Sequence, residues 1–183
     1  MKIILSNTRI NIRPMTIDDL QAFLDIRNEC RESLHNNTEF GFEDVYKWWT
    51  AGSGGSIYFI IEGHDGMLGY VRTSKWNSSA RSVYVGIDIA SKHRRKGYAA
   101  EAYHIMLDHL FCYHRKNKVG LEVLSNNSGA IALYEKLGFK HDGVNRCAIK
   151  RGNIYIDALY MSILAEEWSV KVSPSTQSAL KES

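Results

Sequence analysis

At 183 residues the chain can bury the core of one domain and is too short for two ordinary ones, while 44% hydrophobic residues and four tryptophans exclude a disordered chain. A net charge of +3 permits an acidic ligand but falls short of the basic footprint of a dedicated nucleic-acid binder, so no nucleic-acid partner is expected. Cys30, Cys112 and Cys147 are odd in number and form no C-x-x-C pair, the seven histidines have no ligand spacing, and no window approaches the roughly 18 apolar residues of a membrane span. A cytoplasmic protein without metal or membrane contact is expected, either monomer or homodimer.

Residues Arg9 to Arg13 alternate as a short strand that stops at Pro14. Thr16 can cap a helix over Ile17 to Glu32, with Asp18 and Asp19 in its first turn and Leu20, Phe23, Leu24 and Arg27 at helical spacing. A shorter helix is predicted over Phe42 to Trp49, whose tryptophan pair either packs in the core or lines a groove. Ile57 to Glu62 and Met67 to Thr73 read as a hairpin around Gly63-His-Asp-Gly66, followed by a polar loop and a strand from Ser82 to Ile89. A long helix is expected from Lys96 to His114. Lys118 to Leu124 is then a strand parallel to its predecessor, because a helix separates the two. Asn127 opens a helix that Gly138 ends, and Phe139 to Val144 and Asn153 to Leu164 finish the sheet antiparallel. The domain is expected to span residues 1–165, with 166–183 a polar, disordered tail.

One stretch breaks a rule of helix construction. Lys92, Arg94, Arg95 and Lys96 place four cations where a helix starts, although the backbone N–H groups there already carry about half a positive charge. An anion would answer both, and Gly97 would let a phosphate approach the backbone closely. Neither the G-x-x-x-x-G-K-S/T phosphate loop nor the G-x-G-x-x-G dinucleotide loop fits, since Gly97 stands alone. A solvated basic turn is the plainer alternative.

Arg94-x-x-Gly97-x-Ala99 resembles the Gln/Arg-x-x-Gly-x-Gly/Ala pyrophosphate loop of the GNAT family of N-acetyltransferases. Downstream, Leu121-Glu-Val-Leu-Ser-Asn-Asn-Ser-Gly-Ala-Ile-Ala-Leu-Tyr-Glu-Lys-Leu-Gly-Phe139 resembles the family's L-E-V-x-x-x-N-x-x-A-I-x-L-Y-x-x-x-G-F signature, in the required order. Within the family the pattern looks most like the Rim-type branch that acetylates ribosomal proteins and protein N-termini, with polyamine and amino-sugar acetyltransferases close behind. The resemblance implies an α/β (α+β) fold of one domain, with a mixed sheet of six to seven strands and about four helices, and a splay between the family's fourth and fifth strands. It also implies direct transfer of acetyl from acetyl-CoA to a primary amine, the acceptor being a protein N-terminus or a small amine.

By the same resemblance, Arg94, Arg95, Lys96, Gly97, Tyr98 and Ala99 bind the pyrophosphate. Backbone groups of Ile87, Asp88 and Ile89 pair with the pantetheine arm, Gly86 marks a bulge that opens the splay, and Asn127 bonds the pantetheine chain. Tyr134 is the general acid for the departing thiolate and Glu122 the base for the incoming ammonium, with Glu62 and Asp88 as reserves. Taken by position alone, Asn127 is a helix cap, Tyr134 a core tyrosine and Glu122 an exposed edge carboxylate. Arg27, Asn28, Phe40, Trp49, Arg72 and Tyr155 are placed near the acceptor pocket. A catalytically silent acyl-CoA-binding module is the alternative from another class.

Overall fold

The computed structural model describes residues 5–169. Eight strands form one sheet in the order β1-β2-β3-β4-β5-β6-β8-β7. They are β1 (Leu5–Ser6), β2 (Asn11–Pro14), β3 (Ile57–Gly63), β4 (Gly66–Asn77), β5 (Ser82–Ile89), β6 (Lys118–Leu124), β7 (Lys140–Arg151) and β8 (Ile154–Leu164). Five α-helices accompany them: α1 (Leu20–Glu29), α2 (Phe42–Thr50), α3 (Tyr98–Asp108), α4 (Ser128–Leu137) and α5 (Ala165–Ser169). Every neighbouring pair is antiparallel except β5 with β6, which are parallel, as a crossover through α3 requires. The two-residue β1 and the five-residue α5 are too short to leave a periodic signal, which is why the expected counts fall slightly low.

The sheet is apolar on both faces, and period-two alternation assigns each residue to a side. Ile61, Val71, Val83 and Val85 meet Ala102, Tyr103, Met106 and Leu107 of α3, whereas Ile60 and Tyr70 meet Leu20, Phe23 and Leu24 of α1. The cavity described below lies on the α1 side.

Several boundaries move for identifiable reasons. The expected first helix is split into a 3-10 turn (Ile17–Asp19), α1, and a second 3-10 turn (Arg31–Ser33). Asp19 is held by two 2.7 Å bonds from Arg13 and accepts from the Thr16 amide at 2.8 Å, which fixes the entry turn. The Arg13 guanidinium and these Thr16 bonds outweigh burial and hold the Asp19 carboxyl below its ordinary range. α3 begins at Tyr98 rather than Lys96, because Gly97 is left-handed at φ 88°, and after Asp108 the coil widens into a π-turn over His109–Tyr113. β7 runs to Arg151, well past Val144; as an edge strand with most of its residues exposed, it shows no alternation that would reveal its length.

The expected tail from residue 166 is corrected in part. Glu166 to Ser169 are helical, Trp168 is 3% exposed, and its indole N–H donates to Asp108 at 2.7 Å, so this turn closes the core beneath α3. The remainder of that expectation lies outside the described residues.

Candidate active site

β5 and β6 pair only at Ser82 with Lys118, Val83 with Val119 and Tyr84 with Gly120. Beyond these three pairs the strands part, leaving one edge of Gly86, Ile87 and Asp88 unpaired toward β6. Gly86 is not a bulge: it pairs in register with Arg72 of β4, and the irregularity in that ladder lies between Ser74 and Asn77. The opening comes from the divergence of β5 and β6, and Gly86 instead leaves space for the Arg72 side chain, whose Nη2 lies 3.6 Å from where a Cβ would stand.

The gap opens into a cavity of about 480 Å³ between the sheet and α1, α2 and the segment joining them. Its lining includes Ile87, Asp88, Glu122, Val123, Asn127, Ala130 and Tyr134, so both catalytic candidates and Asn127, the candidate contact for the pantetheine chain, converge on one space. Glu122 is partly exposed, with an oxygen 3.3 Å from His35 Nε2 and another 3.9 Å from Lys75 Nζ. Tyr134 is buried, with the ring of Tyr103 edge-on at 5.4 Å and Phe139 at 5.9 Å. Burial pushes its phenol upward, which keeps it protonated at neutral pH, the state a proton donor needs. Asn127 also caps α4, its side chain accepting from the Ala130 amide at 3.3 Å, so its structural reading holds as well.

The basic turn lies at the C-terminal end of β5. Among the described residues no side chain caps α3 at Gly97, which leaves the first-turn amides of Tyr98 and Ala99 without a capping partner; Arg95 just before it is left-handed at φ 60°. Arg9 braces this turn from β2's approach: it donates to the Lys96 carbonyl at 3.2 Å, pairs with Glu101 and lies 4.7 Å over the Tyr98 ring. None of Lys92, Arg94, Arg95 and Lys96 has a carboxylate within 4 Å among the described residues. Arg94 turns inward, donating to the Ile89 carbonyl at 3.0 Å and to Cys30 Sγ at 3.0 Å. Burial outweighs that guanidinium and pushes the Cys30 thiol up to about 11, which leaves it inert. An uncapped helix start, a left-handed glycine and unpaired cations suit a diphosphate.

The reserve bases divide. Glu62 is held by Arg13 at 2.8 Å and lies outside the cavity. Asp88 lines the cavity facing Tyr70, and burial raises its carboxyl above the ordinary range despite Tyr70, Arg72, Arg94 and Arg27 nearby. Of the acceptor-side expectations, Arg27, Phe40 and Arg72 line the cavity. Asn28 exchanges two bonds with the Phe40 backbone, at 2.9 and 3.1 Å, and so shapes the wall. Tyr155 lies in a separate groove of the β7–β8 hairpin, and Trp48, rather than Trp49, faces the cavity.

Of the aromatic wall of Phe23, Trp48, Tyr58 and Tyr70, the sequence offered only Trp48 to a groove, as one of a tryptophan pair. Phe23 and Trp48 stack at 5.5 Å and Tyr58 meets Trp48 edge-on at 5.0 Å. The signal was present in the period-two rows: Tyr58 pairs with Arg72 and Arg72 with Gly86, while Tyr70 pairs with Asp88, so one sheet face carries them all.

The Acetyltransferase (GNAT) domain family matches residues 9–140. An uncharacterised N-acetyltransferase, YnaD, of Bacillus subtilis (strain 168) is 24% identical over 110 residues, covering 60% of this chain and 64% of that protein. The spermidine N(1)-acetyltransferase of Vibrio cholerae is 25% identical over 147 residues, covering 75% of this chain and 82% of that protein. A spermidine N-acetyltransferase from Vibrio cholerae, solved in complex with CoA and spermine, shares the fold with a TM-score of 0.81 at 24% identity, over 89% of this chain and 99% of that one. With most of its length matched and its sheet split between the two parallel strands, the chain belongs to the GNAT family and is an acetyl-CoA-dependent N-acetyltransferase.

Proposed function

We propose that the chain transfers acetyl directly from acetyl-CoA to a primary amine, a small molecule or a protein N-terminus, bound in the cavity against α1 and α2. The observation that carries this reading is the termination of β5–β6 pairing at Tyr84 and Gly120, beside Tyr134, Glu122 and the uncapped start of α3. Backbone groups of Ile87, Asp88 and Ile89 take the pantetheine arm, Asn127 adds a polar contact, and the turn from Arg94 to Ala99 takes the diphosphate. The amine nitrogen attacks the thioester carbonyl, the C–S bond breaks, and Tyr134 protonates the leaving thiolate.

Glu122 is the proposed base. An amine with a pKa near 10 is almost wholly protonated at neutral pH, so a proton acceptor speeds attack until pH itself supplies free amine. Glu122→Gln keeps the shape and removes the acceptor. Its rate deficit is expected to be largest near neutral pH and to shrink as pH rises; a deficit constant across pH would make Glu122 a binding residue. A polyamine acceptor is the second reading, favoured by the likeness to the Vibrio cholerae enzymes rather than to a ribosomal-protein acetyltransferase.

A further inference from the structure

The acceptor side of the cavity contains two guanidinium groups, and Asp88 is the carboxylate that acts on both of them, from beyond salt-bridge distance. Arg27 is only 8% exposed, yet its partners are the carbonyls of Thr38 and Asn36, the latter at 2.7 Å, the Asn28 side-chain oxygen at 3.4 Å, and the Phe40 ring at 4.3 Å. Carbonyls satisfy its donors without neutralising it. Arg72 lies exposed in the cavity, over Gly86 and beside Tyr58, with which it pairs across the strands. Neither arginine has a carboxylate within salt-bridge reach among the described residues.

The cavity's carboxylates, Asp44, Asp88 and Glu122, each have a nearer partner than the two arginines. Asp44 accepts from the Gly41 amide at 2.9 Å and caps α2, Glu122 sits beside His35 and Lys75, and Asp88 is sunk beside Tyr70. A polyamine ammonium placed against the exposed Arg72 would make a like-charge approach that disfavours binding at that point. A carboxylate would instead give Arg72 the planar, two-pronged partner that a guanidinium suits best. Phe23, Trp48 and Tyr58 offer an apolar surface for whatever joins the two charged ends.

We propose that the acceptor is a small amine that also carries an oxyanion, specifically an amino acid with an apolar side chain, its carboxylate held by Arg72 and its amine directed at the thioester gap. This rests on the acetyl-transfer reading above. The test measures thiol release from acetyl-CoA with phenylalanine, phenylalaninamide, O-phosphoethanolamine and spermidine. Phenylalanine is expected to exceed its amide by about tenfold or more in kcat/KM, the discrimination of one charge-assisted contact. Arg72→Gln should collapse that ratio, and Arg72→Lys should restore part of it. Should Arg72→Gln fail to fold, the wild-type ratio of acid to amide decides the matter.

Equal losses on both substrates in a folded Arg72→Gln would make Arg72 structural and overturn the proposal. A preference for phosphoethanolamine would overturn the carboxylate in favour of a phosphate. Acetylation of spermidine but not phenylalanine would overturn it while leaving acetyl transfer intact. Acetyl-CoA binding by calorimetry without turnover on any acceptor would overturn both readings.

Discussion

Tyr84 and Gly120 are the last residues to pair between β5 and β6, and the Tyr84 ring covers Gly120, 3.1 Å from where a Cβ would stand. Lys75 Nζ lies 4.6 Å from the centroid of the same ring, which adds a second contact to hold it. The aromatic lid over a bare glycine marks the point where the ladder stops and the gap begins.

Gly120→Val therefore has to displace the Tyr84 ring at the mouth of the gap. Overpacking of this kind costs about 1–3 kcal/mol. The urea midpoint should fall, and the KM for acetyl-CoA should rise because the unpaired edge of β5 is re-aimed. An unchanged midpoint together with an unchanged KM would show that the ring swings aside freely and that the gap does not depend on it.

Tyr134→Phe keeps a ring against Tyr103 and Phe139 and removes only the hydroxyl. Turnover should drop by roughly 10²–10⁴, the usual contribution of a positioned acid, while the KM for acetyl-CoA changes little. If turnover stays within about threefold of wild type, Tyr134 serves packing alone.

The sheet, its parallel step and the two motifs were legible in the sequence because each has a local signature. A continuous apolar run marks β3 and alternation marks β5, a helix between two strands forces β5 and β6 parallel, and Asn127 and Gly138 bracket α4 as cap and stop. The acceptor wall was not legible, because it is assembled by strand register and by Asn28 clasping the Phe40 backbone twelve residues away. Nor does spacing reveal that Arg94 turns inward: its partner, Cys30, is 64 positions distant. The buried indole of Trp168 was missed because the residues around it are polar.

That inward turn separates the roles of the four cations. Arg94→Ala removes bonds to the Ile89 carbonyl and Cys30 Sγ, so it should lower the melting temperature as well as acetyl-CoA affinity. Arg95→Glu and Lys96→Glu alter exposed residues and should leave the melting temperature within a degree or two while raising the dissociation constant about tenfold or more. Calorimetric titration with CoA beside a thermal scan distinguishes the two patterns. If the three variants behave alike, Arg94 is one more surface charge.

The far end of the sheet carries a cluster that ties stability to pH. His109 and His114 lie 4.7 Å apart, Tyr113 stacks on His109 at 5.1 Å, and Trp76 meets His114 edge-on at 5.4 Å. Burial and then the His114 charge lower the pKa of His109 from its ordinary 6.5, and burial and then Lys116 lower that of His114. The unfolded imidazoles thus take up protons from about pH 6.5 downward while the folded ones resist, and the unfolded state binds more protons throughout that interval. These two groups therefore contribute full stability above pH 6.5, and that contribution is lost as pH falls through their depressed folded values. The raised carboxyl of Asp88 works in the opposite sense on acidification, so the comparison has to be made against a variant. His109→Gln removes one of the two depressed imidazoles, and the drop in urea midpoint between pH 7.5 and 5.5 should be visibly smaller than in wild type. An equal drop in both proteins would place the acid sensitivity elsewhere, with His93, whose pKa burial also lowers, the next residue to change.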